Sequence, residues 1–102
     1  MVILIMVDPP AYYDRNHIEF LEKLWGDGYL SPGGPGEVKR ILGNVDLSKA
    51  TVLDIGCGSG GITVSLVSDY GAQKVIGIDV ETDVCQVASQ RVKKLGLEKD
   101  ID

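Results

Sequence analysis

The stretch Val52-Leu53-Asp54-Ile55-Gly56-Cys57-Gly58-Ser59-Gly60-Gly61 decides how this chain is read. It is an apolar strand carrying a carboxylate near its end, followed at once by a loop almost free of side chains. Such a loop lets backbone N–H groups come close to a ligand, and a following helix adds a partly positive N-terminus. About twenty residues on, a second apolar run, Val75-Ile76-Gly77-Ile78, ends in Asp79, where an acid can take both hydroxyls of a ribose. Together the two segments describe a nucleoside pocket at the carboxyl ends of two parallel strands.

Two ligand classes compete for that pocket. Gly56, Gly58 and Gly61 satisfy the G-x-G-x-x-G pattern of dinucleotide binders, which is weak on its own. Asp54 separates the readings. A dinucleotide sets a pyrophosphate against the loop, and a carboxylate two residues before the first glycine would repel it. A cationic ligand would be attracted, and S-adenosylmethionine carries both an ammonium and a sulfonium. The plainer reading of Asp54 is an acid that only bonds loop amides. A nicotinamide-dependent (NAD(P)) oxidoreductase is the competing enzyme class, and a non-catalytic remnant or subunit that needs a partner to complete the sheet is the other alternative.

Val52 to Gly61 resembles the first motif of class I S-adenosylmethionine-dependent methyltransferases, and Val75 to Asp79 resembles their acidic second-strand motif. The resemblance implies an α/β, Rossmann-like fold and S-adenosyl-L-methionine as cofactor. It places Gly56, Gly58 and Gly60 under the cofactor, Asp79 on the ribose, Asp54 toward the methionine end and Val80 beside the adenine. Cys57, inside the loop, is a small residue needed there for space; no base stands beside it to make it a nucleophile. Ser59 either donates to a ligand carboxylate or starts the next helix.

The segment Trp25-Gly26-Asp27-Gly28-Tyr29-Leu30-Ser31-Pro32-Gly33-Gly34 is too distinctive for an ordinary connector. It resembles the region before the first strand in phosphoethanolamine N-methyltransferases and related small-molecule N-methyltransferases. That resemblance implies a cofactor contact from Ser31, an N-terminal helix closing over the site, and a catalytic tyrosine touching the acceptor at Tyr13, with Tyr12 beside it. The family's partner histidine falls beyond this sequence. His17, the one histidine present, is expected at a solvated helix position. Trp25 and Tyr29 are expected to pack the core or lid rather than form a cage for a cation.

Composition narrows the partners. The chain has 102 residues, a net charge of -5 and 44% hydrophobic residues. An acidic balance without a basic face argues against nucleic acid. Two cysteines, Cys57 and Cys85, imply neither a disulfide framework nor a metal site, so a reducing cytoplasm is the expected compartment. Met1 to Val7 is apolar but far too short to span a bilayer and lacks the basic start of a signal peptide. It reads as a buried N-terminal segment or as translation upstream of the natural start.

Along the chain, residues 1–50 read as a helical preface or lid, and 51–102 as the first half of the cofactor-binding domain. Asp14 caps a helix with Ile18, Leu21, Leu24 and Trp25 on one face. A second helix, near 37–42, turns Val38, Ile41 and Leu42 one way. Strand Thr51 to Ile55 leads to a helix near 61–70 that offers Ile62, Leu66 and Val67 to the sheet. After the second strand, Glu81 or Thr82 caps a helix to Leu95 with Val84, Val87, Ala88 and Val92 inward, and Gly96 ends it. Only two strands of a larger doubly wound sheet are written, and the sequence stops where a third should begin. Open edges then call for cover from a second copy or from a complementing C-terminal portion. The methyl acceptor itself is not named by these residues.

Overall fold

The structure, a computed structural model, describes residues 13–102. Its elements run α1 (Arg15–Trp25), α2 (Gly34–Leu42), β1 (Thr51–Ile55), α3 (Gly61–Ser68), β2 (Lys74–Ile78) and α4 (Thr82–Lys94). Met1 to Val7 and Tyr12, both weighed above, lie outside the described residues.

β1 and β2 pair in parallel, with Leu53 opposite Ile76 and Asp54 opposite Gly77. Parallel neighbours need a crossover, and α3 supplies it. The far edge of β2 is partly taken: Ile101 forms a parallel bridge with Val75, and Gly77 N donates to Asp102 O at 2.8 Å. Ile101 and Asp102 thus lie along the edge of β2, where the sequence leads one to expect a third strand. β1 has no second strand partner among the described residues.

The alternation of side chains along each strand divides the sheet into two unlike faces. Val52 and Val75 face the core, where Val75 is 0% exposed and packs with Leu47, Leu66, Val92 and Ile101. Burial of a side chain of that size contributes about 1.5–3 kcal/mol. The opposite face carries Leu53 against Ile76 and Ile55 against Ile78, all exposed.

Three helices turn differently from the simple apolar reading. In α1 only Ile18 is fully buried, with Leu21 and Glu22 half-buried beside it, while Leu24 and Trp25 point outward. Glu22, one turn after Ile18, lies on the same inward stripe and is paired there with Arg91 of α4. In α2, Val38 is buried and Leu42 packs on the core, but Ile41 is 68% exposed. In α3 the inward residues are Thr63, Leu66 and the half-buried Val67, and Ile62 is exposed. α4 follows expectation, with Val84, Ala88 and Val92 buried and Val87 half-buried.

Helix ends obey local chemistry. Asp14 accepts from His17 N at 2.8 Å as the N-cap of α1. α4 starts at Glu81 without a side-chain cap bond, and Gly96 follows its end with φ 70°.

Candidate functional site

The loop between β1 and α3 is held from several sides. Ile78 O, at the end of β2, accepts from both Gly56 N at 2.8 Å and Cys57 N at 3.0 Å. Gly56, Gly58 and Gly60 have φ of 73°, 58° and 93°, a backbone region that L side chains rarely adopt. Space at these glycines differs in an informative way. A Cβ on Gly56 would meet nothing within 4 Å, so that face of the loop is open for a ligand. A Cβ on Gly60 would lie 3.2 Å from Ala88 Cβ, so this glycine serves helix packing.

The two acids occupy adjoining strand ends. Asp79 Oδ2 accepts from Gly58 N and Oδ1 from Glu81 N, both at 3.0 Å. Each carboxylate oxygen retains a second lone pair, so two further donors such as ribose hydroxyls can be accommodated. Asp54 Oδ2 accepts from Thr63 Oγ1 at 2.8 Å. The acid that bonds a loop amide is therefore Asp79, whereas Asp54 is oriented by a hydroxyl from the first turn of α3. Val80, directly after Asp79, is 78% exposed and lies at the mouth of the strand ends.

Cys57 is half-buried, and a Cβ on Gly77 would press within 3.2 Å of its sulfur, so the position has little spare room. Burial, then the charges of Asp54 and Asp79, push its thiol from the usual 9.0 to about 11. Such a thiol is almost wholly protonated near neutrality and is not an activated nucleophile. Ser59 does not start the helix with its side chain, because Gly60 is the N-cap of α3. Its hydroxyl is 0% exposed and has no hydrogen-bond partner among the described residues.

The preface reaches this loop through main chain. Gly61 N donates to Gly28 O at 2.9 Å, and a Cβ on Gly28 would fall 2.7 Å from Gly61 Cα. Two glycines are required at this crossing because either side chain would collide with backbone. Leu30 lies over Gly58, at 3.6 Å from where its Cβ would be, and the ring of the half-buried Tyr29 packs beside Gly61. Burial raises the Tyr29 phenol above its usual value. Tyr29 is thus a lid-packing aromatic, while Trp25 is largely outside the core. Ser31 is exposed in the loop that follows. Tyr13 stacks on His17, with ring centroids 5.1 Å apart and planes 7° from parallel, so the exposed His17 has a ring neighbour.

An open glycine face, two fixed acids and an exposed apolar residue are therefore grouped at one edge. A model of the methyltransferase domain matches residues 52–102, half of the chain. The chain belongs to that family. Among relatives of this methyltransferase domain, phosphoethanolamine N-methyltransferase of Plasmodium falciparum is 35% identical over 81 residues, covering 78% of this chain and 30% of that protein. Ribosomal protein L11 methyltransferase of Alteromonas mediterranea is 32% identical over 63 residues, covering 62% of this chain and 21% of that protein. A solved structure of Haemonchus contortus phosphoethanolamine N-methyltransferase 2 in complex with S-adenosyl-L-methionine matches with a TM-score of 0.71 at 33% identity, covering 82% of this chain and 20% of that one. The methyltransferase domain described here thus spans less than a third of these proteins, and its fold is the N-terminal portion of their Rossmann-like architecture.

Sequence reasoning missed Thr63, Glu22 and Arg91. Thr63 had a local signal, a hydroxyl in the first turn of the helix after the loop. The other two are joined only by the fold.

Proposed function

We propose that the chain is the cofactor-binding part of an S-adenosylmethionine-dependent methyltransferase acting on a small-molecule amine of the phosphoethanolamine type. The observation that carries this reading is the pair of fixed carboxylates, Asp54 and Asp79, on either side of an open glycine loop. Negative charge there favours a cationic donor over a pyrophosphate. The preface supports the small-amine substrate: the match to the Plasmodium protein covers 78% of this chain and so runs well beyond residues 52–102.

When bound, S-adenosylmethionine supplies an activated methyl group on a sulfonium. The chain's residues bind and position. Gly56, Gly58 and Gly60 bring backbone close, Asp79 accepts from the ribose, and Asp54 offers charge to the methionine end. Val80 covers the adenine, Cys57 fills the small space beneath the loop, and Ser31 adds a contact from the lid. Holding two reactants in line accounts for much of such a rate enhancement. Tyr13 contacts the acceptor amine as hydrogen-bond partner or base, since the amine must be unprotonated to attack.

The test is transfer of labelled methyl to phosphoethanolamine by the full-length protein that carries this chain, as wild type and as Tyr13→Phe. Turnover is expected in the wild type and is expected to fall about 10²-fold or more in the variant with cofactor affinity kept, the usual scale of acid–base assistance. Equal losses in turnover and affinity would move Tyr13 to the donor site. Absence of wild-type transfer to any small amine would contradict the substrate class.

A further inference from the structure

Arg91 of α4 stands outside the ligand edge, yet it touches the glycine loop, α1 and the preface loop. Its Nε donates to Ser59 O at 2.9 Å, inside the glycine loop. One terminal nitrogen is bonded to Glu22 of α1 and the other lies 2.9 Å from Asp27 of the preface loop. Glu22 also accepts from Gly28 N, and Gly28 O accepts from Gly61 N. The contacts close into a ring: Arg91, Glu22, Gly28, Gly61, and back along the loop to Ser59 and Arg91.

Three features make this more than a surface ion pair. The Arg91 and Glu22 side chains are only 15% and 14% exposed, so water does not readily replace one partner for the other. Three acceptors in three directions suit the planar fork of arginine and not the point charge of lysine. The Gly28–Gly61 crossing admits no side chain, so the closed arrangement is a single packed state rather than a sliding contact. The Arg91 guanidinium also holds the Asp27 carboxyl below the usual range.

We infer that Arg91 is a positioning residue that ties closure of the preface to the ligand-holding shape of the glycine loop. A ligand that fixes the loop then tightens the preface through Arg91, and an open preface weakens the loop by the same amount, because coupling between sites is reciprocal. The inference rests on the reading that this loop holds an adenosyl donor.

The experiment measures S-adenosylhomocysteine affinity by calorimetry and amide hydrogen exchange at Gly28, Gly61 and Val75, in the full chain and in Arg91→Met and Arg91→Lys. The expected result is about tenfold weaker binding in both variants, within the ordinary range of coupling between two sites. Ligand should protect the Gly28 amide in the wild type and not in the variants, while Val75 in the core stays protected throughout. A merely structural ion pair would lower the melting temperature and leave affinity and Gly28 protection unchanged in the folded variant; that outcome overturns the inference. Should Arg91→Met fail to fold, Glu22→Gln, which keeps the shape and removes the charge, is judged by the same two readouts. If the wild type does not bind S-adenosylhomocysteine, the functional reading fails on its own. The coupling is then decided without ligand: Gly28 and Gly61 must exchange faster in Arg91→Met at unchanged Val75, and equal exchange sinks it.

Discussion

At the end of β1, Asp54 is held by a side chain, Thr63 Oγ1 at 2.8 Å, whereas at the end of β2 Asp79 is held by main chain, Gly58 N and Glu81 N. The first arrangement orients one acid and nothing else. The second joins the two strand ends, because Gly58 belongs to the loop after β1. Asp79 therefore fixes the loop, and in the proposed function it also accepts from the ribose, while Asp54 offers charge whose direction the Thr63 hydroxyl sets.

The largest effect that would break this contrast is Asp79→Ala. It leaves Gly58 N without its partner and removes the ribose acceptor, so S-adenosylhomocysteine affinity is expected to fall by about 1–3 kcal/mol, the cost of unpaired polar groups. Calorimetry showing unchanged affinity would remove Asp79 from the site. Thr63→Val should be milder. It deletes the Thr63 bond to Asp54 while keeping the buried shape, and a loss of about 0.5–1.5 kcal/mol in binding is expected for a single hydrogen bond. A loss as large as that of Asp79→Ala would erase the distinction between the two acids.

The smallest effect concerns Cys57, which sits between the acids. A thiol whose folded value is raised to about 11 from 9.0 keeps its proton longer in the folded state. The folded state then binds more protons than the unfolded one between these values, so stability falls as pH rises. The associated stability is complete below about pH 9 and is lost through about pH 11. Melting curves should drift downward over that window in the wild type and less in Cys57→Ala. Rapid alkylation of Cys57 in the folded chain near neutral pH would contradict the burial and charge that keep it protonated.

Much of this site was legible because it is local. The strand Thr51–Ile55 matches the expected limits, and β2 starts one residue before the expected Val75. Glycines with positive φ, and acids at strand ends, announce themselves in a single short stretch. The orientation of α1 was not legible. Leu24 and Trp25 share an apolar spacing with Ile18, but the helix buries Ile18 and half-buries Leu21 and Glu22, and the partner of Glu22, Arg91, lies far along the chain where no local pattern announces it. Ile41 and Ile62 fail for a related reason: periodicity marks an apolar face without saying how much of it a neighbour covers. The Gly28–Gly61 crossing was half legible, as an unusual glycine-rich segment whose partner only the fold reveals. The described residues before β1 meet the rest at that crossing and at Arg91 as well as through Leu42, Leu47 and Ala50, which pack on the core around Val75.

In the proposed function, two carboxylates around an open glycine loop select a cationic adenosyl ligand. Parallel calorimetric titrations of the full protein with S-adenosylhomocysteine and with NADH test it most directly. Saturable binding of S-adenosylhomocysteine and none of NADH is expected; binding of NADH with no response to S-adenosylhomocysteine would overturn the assignment.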